Sequence, residues 1–188
     1  MQKTLVALSM AVAQAMPAVA ADNYVIDPNH TFPLFEVSHM GFSTQRGRFD
    51  KTYGWATLDS AAKTGSVNLT IDTKSIDMGF ANWNAHMLED SFFNADKFPT
   101  MTFTSDKLVF DGDKVVAAEG QFTLLGVTRP LTVTVSGFHC GANPMTRKDM
   151  CGCDVTATFK RSAFGMTKFI PLVGDEIRIF VPVEAYRN

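Results

Sequence analysis

Over most of its length the chain alternates apolar and polar residues one for one, the period of a strand that buries a single face. Pro33, Phe35, Val37 and His39 share one face, with Leu34, Glu36 and Ser38 on the other. Val67, Leu69 and Ile71 alternate with Asn68, Thr70 and Asp72, and Met101, Phe103 and Ser105 with Thr102 and Thr104. Phe122 and Leu124 follow Gly120; Leu131, Val133 and Val135 alternate with Thr132, Thr134 and Ser136. Val155, Ala157 and Phe159 alternate with Thr156, Thr158 and Lys160, and Ile177, Ile179, Val181 and Val183 close the series. The outward positions are rich in Thr, which suits half-buried strands. Asp111-Gly112-Asp113 reads as a hairpin turn, and Gly126 and Gly174-Asp175 as two further short connections. With the segment Gly47–Leu58 this makes about eight strands. Short connections favour antiparallel pairing, and such a set closes into a barrel or stacks as a sandwich.

One segment breaks the alternation. Phe80 to Asp96 contains Ala81, Ala85, Met87, Leu88 and Glu89, all compatible with a helix. Ser75-Ile76-Asp77 leads in and Phe98-Pro99 leads out. The expectation is a short helix, with a second turn near Asn94-Ala95-Asp96, capping one open end.

Residues 1–20 have the layout of a secretory signal peptide. Lys3 gives a positive start, Leu5 to Met16 an apolar run, and Ala18-Val19-Ala20 a cleavage site. That run is shorter than a membrane span requires and Pro17 ends it. Export, to a periplasmic or secreted location, therefore leaves residues 21–188 as one domain. No internal repeat or linker divides it.

Net charge is −2, and no basic run is interleaved with aromatics, so nucleic acid is excluded as a partner. Sixteen Phe stand against three Tyr and two Trp. Phe offers a large apolar face without a polar handle, which suits either a solid core or a wide apolar cavity. In an oxidising compartment two of Cys140, Cys151 and Cys153 should pair. Cys151 and Cys153 are too close for easy bridging. Cys140 with either of them closes a loop of about a dozen residues, worth roughly 3 kcal/mol. A metal site would lack a second Cys pair and has only His139 nearby.

A search for catalytic patterns returns little. There is no Gly-x-Ser-x-Gly elbow, no His-Glu-x-x-His and no Gly-x-Gly-x-x-Gly. His30, His39, His86 and His139 are scattered; His30 and His39 fall on different faces if their segment is unbroken. Glu89-Asp90 on the helix points in two directions and reads as a solvated face. Phe35, Val37, Val67, Leu69, Phe103, Phe122 and Phe159 share the inward register and are the expected lumen lining. Phe92, Phe93 and His86 on the capping segment, with His39, are the expected contacts at the mouth.

Four motifs then stand in register. His30-Thr31, Phe35-x-Val37-x-His39-Met40-Gly41 and Gly47-x-Phe49 make the first. His86-Met87, Ser91-Phe92-Phe93 and Phe98-Pro99-x-Met101-x-Phe103-x-Ser105 make the second. Gly120-x-Phe122-x-Leu124-x-Gly126-Val127-Thr128-Arg129-Pro130 and Phe159-x-Arg161-x-x-Phe164-Gly165 complete the set. From Tyr24 to Ala185 the chain resembles the YceI-like family of bacterial polyisoprenoid-binding periplasmic proteins. The resemblance implies an all-β, lipocalin-like eight-stranded antiparallel barrel with a short capping helix. It implies a tunnel holding an isoprenoid lipid, a quinone tail or a polyprenyl chain, and no catalysis.

The family often carries Arg-Asp shortly before a His-Leu pair, whereas Trp83-Asn84 and Met87 occupy those places here. That departure favours a neutral head group, such as ubiquinone. Family members with the insert after Phe138 keep two cysteines at the spacing of Cys140 and Cys151, which implies that disulfide and leaves Cys153 over. The implied partners are the lipid, transient inner-membrane quinone-handling proteins and, left open, a second copy in a homodimer. Two rival readings stand beside the carrier: an exported hydrolase using His86 with Asp90, and a structural barrel packed solid, with no ligand.

Overall fold

The structure is a computed structural model that describes residues 21–188; the signal-peptide expectation for residues 1–20 lies outside the described residues. The alternating segments become strands β1 (Asp22–Ile26), β2 (Leu34–His39), β3 (Ser43–Phe49), β4 (Thr52–Asp59), β5 (Thr64–Asp72) and β6 (Ile76–Asp77). They continue as β7 (Thr100–Asp111), β8 (Lys114–Leu124), β9 (Val127–Ala142), β10 (Asp149–Lys160) and β11 (Val173–Arg187). Helix α1 (Ala81–Leu88) lies between β6 and β7. Among the described residues no helix is long and apolar enough to cross a membrane.

Strands β1, β4, β5, β7, β8, β9, β10 and β11 form a ring that β1 closes on β11, every pair antiparallel. Strand β11 is long enough to serve two neighbours. Its end pairs with β1 (Tyr24 opposite Arg187), and its first half pairs with β2 (Phe35 opposite Ile179). Thus β1 and β2 are two halves of one stave. So are β3 and β4, bent at Asp50–Lys51, and β5 and β6, separated by the 3-10 turn Thr73–Ser75. The eight expected staves therefore appear as eleven strand segments.

The first interruption has a local cause. Pro28 and Pro33 cannot donate to a ladder. Between them Thr31 is fully buried; its Oγ1 donates to the Glu184 carbonyl (3.1 Å) and accepts from the Glu184 N–H (3.0 Å). One hydroxyl thus replaces the missing ladder bonds to β11. Because the segment is broken here, His30 sits in an exposed turn against Asp27 rather than on a face shared with β2.

The short helix expected in the segment 80–96 covers Ala81–Leu88, and the rest runs as turns, such as Asn94 N–H bonded back to the Glu89 carbonyl at 2.9 Å. Two sequence expectations need correction. Glu89 and Asp90 accordingly lie just past the helix. Gly174-Asp175 is not a connection: both residues lie inside β11, where the register to β2 slips between Val173 and Ile177. A Gly-Asp pair reads as a turn locally, yet here it forms a bulge that bends the strand.

Two apolar clusters fill the barrel axially. The one under α1 contains Phe35, Phe49, Phe92, Phe93, Phe103, Phe122 and Phe164. The other, toward the β9–β10 hairpin, contains Tyr24, Ile26, Leu58, Val115, Val135, Cys151 and Ala185. Leu69, Leu108 and Val155 touch both. Phe122, Phe159 and Phe164 form a trio with centroids 5.3–5.4 Å apart, in which Phe164 meets the other two edge-on, a favoured aromatic geometry. The strand glycine Gly47 is needed for close approach: a Cβ there would fall 2.6 Å from Cζ of Phe35.

Candidate functional site

The side chains of the barrel leave a cavity of about 460 Å³ that runs through both clusters. This lies within the ~300–1,000 Å³ typical of small-molecule sites. Its wall includes Tyr24 and Cys153 at one end and Trp83 and His86 of α1 at the other. Val67, Leu69, Val155, Phe159, Ile177 and Ile179 point into it and are only half-buried although they face inward.

Phe35, Val37, His39, Val67, Leu69, His86, Phe92, Phe93, Phe103, Phe122 and Phe159 all stand on this wall. Period two explains the strand members. Phe92 and Phe93 reach it from the turns after α1, where Phe93 N–H donates to the Met87 carbonyl (3.1 Å). Phe93 packs edge-on against Phe49 at 5.4 Å, which locks the cap to β3.

The polar lining is sparse. Thr57 and Ser66 satisfy each other: their hydroxyls lie 2.7 Å apart and Ser66 N–H donates to Thr57 Oγ1. Arg161 is buried and spends its guanidinium on backbone carbonyls of the loop after Phe164 and of the start of β11. Nε donates to Gly174 (2.8 Å), Nη1 to Met166 (3.3 Å), and Nη2 to Lys168 (2.8 Å) and Val173 (3.0 Å). Burial pulls its pKa below the usual arginine value and the charge of Asp175 opposes this. Of the remaining polar groups on the wall, His39, Gln45, Trp83 and His86 lie toward the helix end and the Tyr24 hydroxyl toward the other. Gln45 Nε2 donates to Ser43 Oγ at 3.0 Å.

His86 has a defined setting. Its Nδ1 lies 3.2 Å from Glu89 Oε1, and its ring meets Phe92 edge-on at 4.8 Å. The carboxylate can only accept, so its charge favours the tautomer with the proton on Nδ1, which leaves Nε2 as an acceptor. Asp90 is not the partner. Trp83 lines the cavity, whereas Asn84 turns back to the barrel, its Oδ1 accepting from Met78 N–H (2.7 Å).

At the opposite end Cys140 and Cys151 are register partners on β9 and β10 and form the disulfide, with Cα atoms 4.0 Å apart. Cys153 is free, and burial, then the charge of Asp154, pushes its thiol up to about 11. Sequence reasoning overlooked Gln45, Arg161, Met166 and Phe169 on the wall. Gln45 was within reach, since it shares a β3 face with Gly47 and Phe49. Met166 and Phe169 lie in an irregular loop, where periodicity carries no signal.

Residues 24–185 match the YceI-like domain as a family. The UPF0312 protein of Vibrio vulnificus (strain YJ016) is 37% identical over 148 residues, covering 77% of this chain and 78% of that protein. The crystal structure of Burkholderia cenocepacia BcnA superposes with a TM-score of 0.70 at 26% identity, covering 85% of this chain and 98% of that one. A polyisoprenoid binding domain from Saccharophagus degradans, implicated in plant cell wall breakdown, shares the fold with a TM-score of 0.62 at 17% identity. It covers 88% of this chain and 98% of its own.

Proposed function

The chain belongs to the YceI-like family, and from that premise we propose that it is a non-catalytic carrier of an isoprenoid lipid with an uncharged head, a quinone or its quinol, working outside the cytoplasm. The observation that carries the reading is the cavity of about 460 Å³ inside a barrel lined by Phe, Leu, Ile and Val. The Saccharophagus degradans domain of the same fold binds a polyisoprenoid, which points to the same ligand class.

The physics fits a greasy tail. At ~0.8 kcal/mol per buried CH₂-sized group, each five-carbon isoprene unit gains roughly 3–4 kcal/mol gross. A few units exceed the affinity a carrier needs, so ordering costs consume most of the gain. The tail therefore supplies affinity without polar contacts. Head-group preference falls to His39, Gln45 and His86, none of which is a fixed charge. Trp83, an uncharged side chain on the wall beside His86, also favours a neutral head. The Cys140–Cys151 disulfide suits an oxidising compartment and hence export.

Organic extraction of protein purified from its native host, followed by mass spectrometry, tests this. A stoichiometric prenyl lipid is the expected result. Protein that carries none and takes up no added quinone would be a packed structural barrel.

A further inference from the structure

Among the described residues nine large apolar or aromatic side chains stand exposed, and five of them gather at the helix end: Met40, Phe42, Phe80, Phe169 and Leu172. Phe42 is 92% exposed, so it contributes nothing to the core. The five come from three separate segments: the β2–β3 hairpin, the entry to α1, and the loop that Arg161 holds.

These segments touch. Met40 N–H donates to the Leu172 carbonyl at 2.7 Å. Phe169 lies 6.2 Å from Phe92, which meets His86, and Phe80 stacks on Trp83 at 5.0 Å. Trp83, His86, Phe92 and Phe169 are also cavity wall. Apolar surface thus continues from the tunnel out over its rim. Met40 and Phe169 hold left-handed backbone conformations (φ 54° and 63°), uncommon for bulky residues.

Fixed charge is sparse on the three segments that carry these side chains. Residues 40–45, 78–88 and 165–172 contain no Asp or Glu, and their one fixed charge is Lys168, with Nζ 5.1 Å from the Phe169 ring centroid; the exposed Glu89 and Asp90 follow directly after α1. The turns at the far end carry Lys63 paired with Asp113, and Arg147 and Lys148. An apolar patch edged by a cation is what the headgroup–acyl boundary of an anionic bilayer accepts.

We propose that this rim docks the barrel, mouth first, onto a lipid bilayer containing anionic phospholipid, so that the tail passes between membrane and tunnel without crossing water. The inference rests on the lipid-carrier reading and adds where the cargo is exchanged. A bilayer fits the rim better than a second copy, because a copy seated there would close the opening the ligand must use.

The test is sedimentation of protein purified from cells expressing the full chain with mixed phosphatidylethanolamine–phosphatidylglycerol vesicles. Phe42→Ser combined with Leu172→Ser changes only exposed side chains, and should lower the partition coefficient at least about tenfold. Lys168→Glu should weaken binding to these vesicles and leave binding to phosphatidylcholine vesicles unchanged. In a Trp55→Phe background, brominated lipid should quench Trp83. Lack of vesicle binding, an unaffected double variant, or a dimer that the same substitutions dissociate would each overturn the proposal. Prenyl-lipid content, measured separately by extraction, keeps a failure of docking distinct from a failure of the tunnel reading.

Discussion

The guanidinium of Arg161 donates through Nε to the carbonyl of Gly174 across 2.8 Å, joining the end of β10 to the bulge in β11. Its other nitrogens serve Met166, Lys168 and Val173, so one side chain organises the loop that carries Phe169. Asp175 stays outside this set and instead receives Ser162 N–H (2.9 Å) and Ser162 Oγ–H (2.8 Å). The loop has little regular structure of its own, and the buried charge supplies its missing donors.

Arg161→Leu should therefore strip partners from several carbonyls at once. We predict a loss of about 3 kcal/mol, read as a fall in melting temperature of roughly 6–12 °C. Arg161→Lys should recover only part of it, because an ammonium cannot reproduce the planar fork. A variant as stable as the parent would mean the loop is held by its apolar contacts alone.

Cys153 supplies a pH prediction. Burial raises its folded pKa to about 11, against about 9 for an exposed thiol. Below the lower value both states are protonated and nothing is gained or lost. Between the two the unfolded chain releases its proton first, so stability falls as pH rises, by up to ~2–3 kcal/mol across the interval. Denaturant titrations at rising pH should show this decline in the parent and a shallower one in Cys153→Ala. Identical slopes would place the thiol in contact with water.

The strand faces were legible because period two survives any kink: Phe35, Leu69, Phe103 and Phe122 could be placed inward without knowing where the staves bend. The bends were not legible. Thr31 replaces ladder bonds to Glu184, a partner 153 residues away, and no local pattern announces that. Gly174-Asp175 misled for the converse reason: the pair carries the local chemistry of a turn, but the flanking pairs Val173–His39 and Ile177–Val37, with the Arg161 bond to Gly174, keep it in the strand as a bulge. The cap was legible as a break in alternation. Its helix is short because residues after Leu88 fold back to put Phe92 and Phe93 on the core, and that burial outweighs helix propensity. The disulfide pairing rested on family resemblance, since spacing alone left Cys153 as an equal choice.

Filling the tunnel should separate carrier from structural barrel. Ala118 is buried on the cavity wall in the cluster under α1. Ala118→Phe adds bulk where a tail would lie. Uptake of a long-chain quinone should fall at least about tenfold, while stability changes by less than ~1 kcal/mol because the ring occupies cavity space. In a solid core the same change costs ~1–3 kcal/mol through overpacking. Calorimetry with a quinone-uptake assay reads both quantities on one preparation.

The head group should be read by His86. The charge of Glu89, 3.2 Å from Nδ1, favours the tautomer protonated there, which leaves Nε2 of this cavity-wall residue as an acceptor. A quinol hydroxyl can donate to that nitrogen, whereas a quinone carbonyl, an acceptor itself, cannot pair with it until the ring is doubly protonated. The parent should thus bind a quinol about tenfold more tightly than the matching quinone at neutral pH, a difference worth ~1.4 kcal/mol and typical of one hydrogen bond. His86→Ala should remove that preference and leave an all-hydrocarbon prenyl chain bound as before. Glu89→Gln should weaken the preference without abolishing binding, because a neutral amide no longer biases the tautomer. Equal losses for quinol, quinone and hydrocarbon in His86→Ala, with a lowered melting temperature, would assign His86 to holding α1 against Phe92 and leave head-group selection to His39 and Gln45.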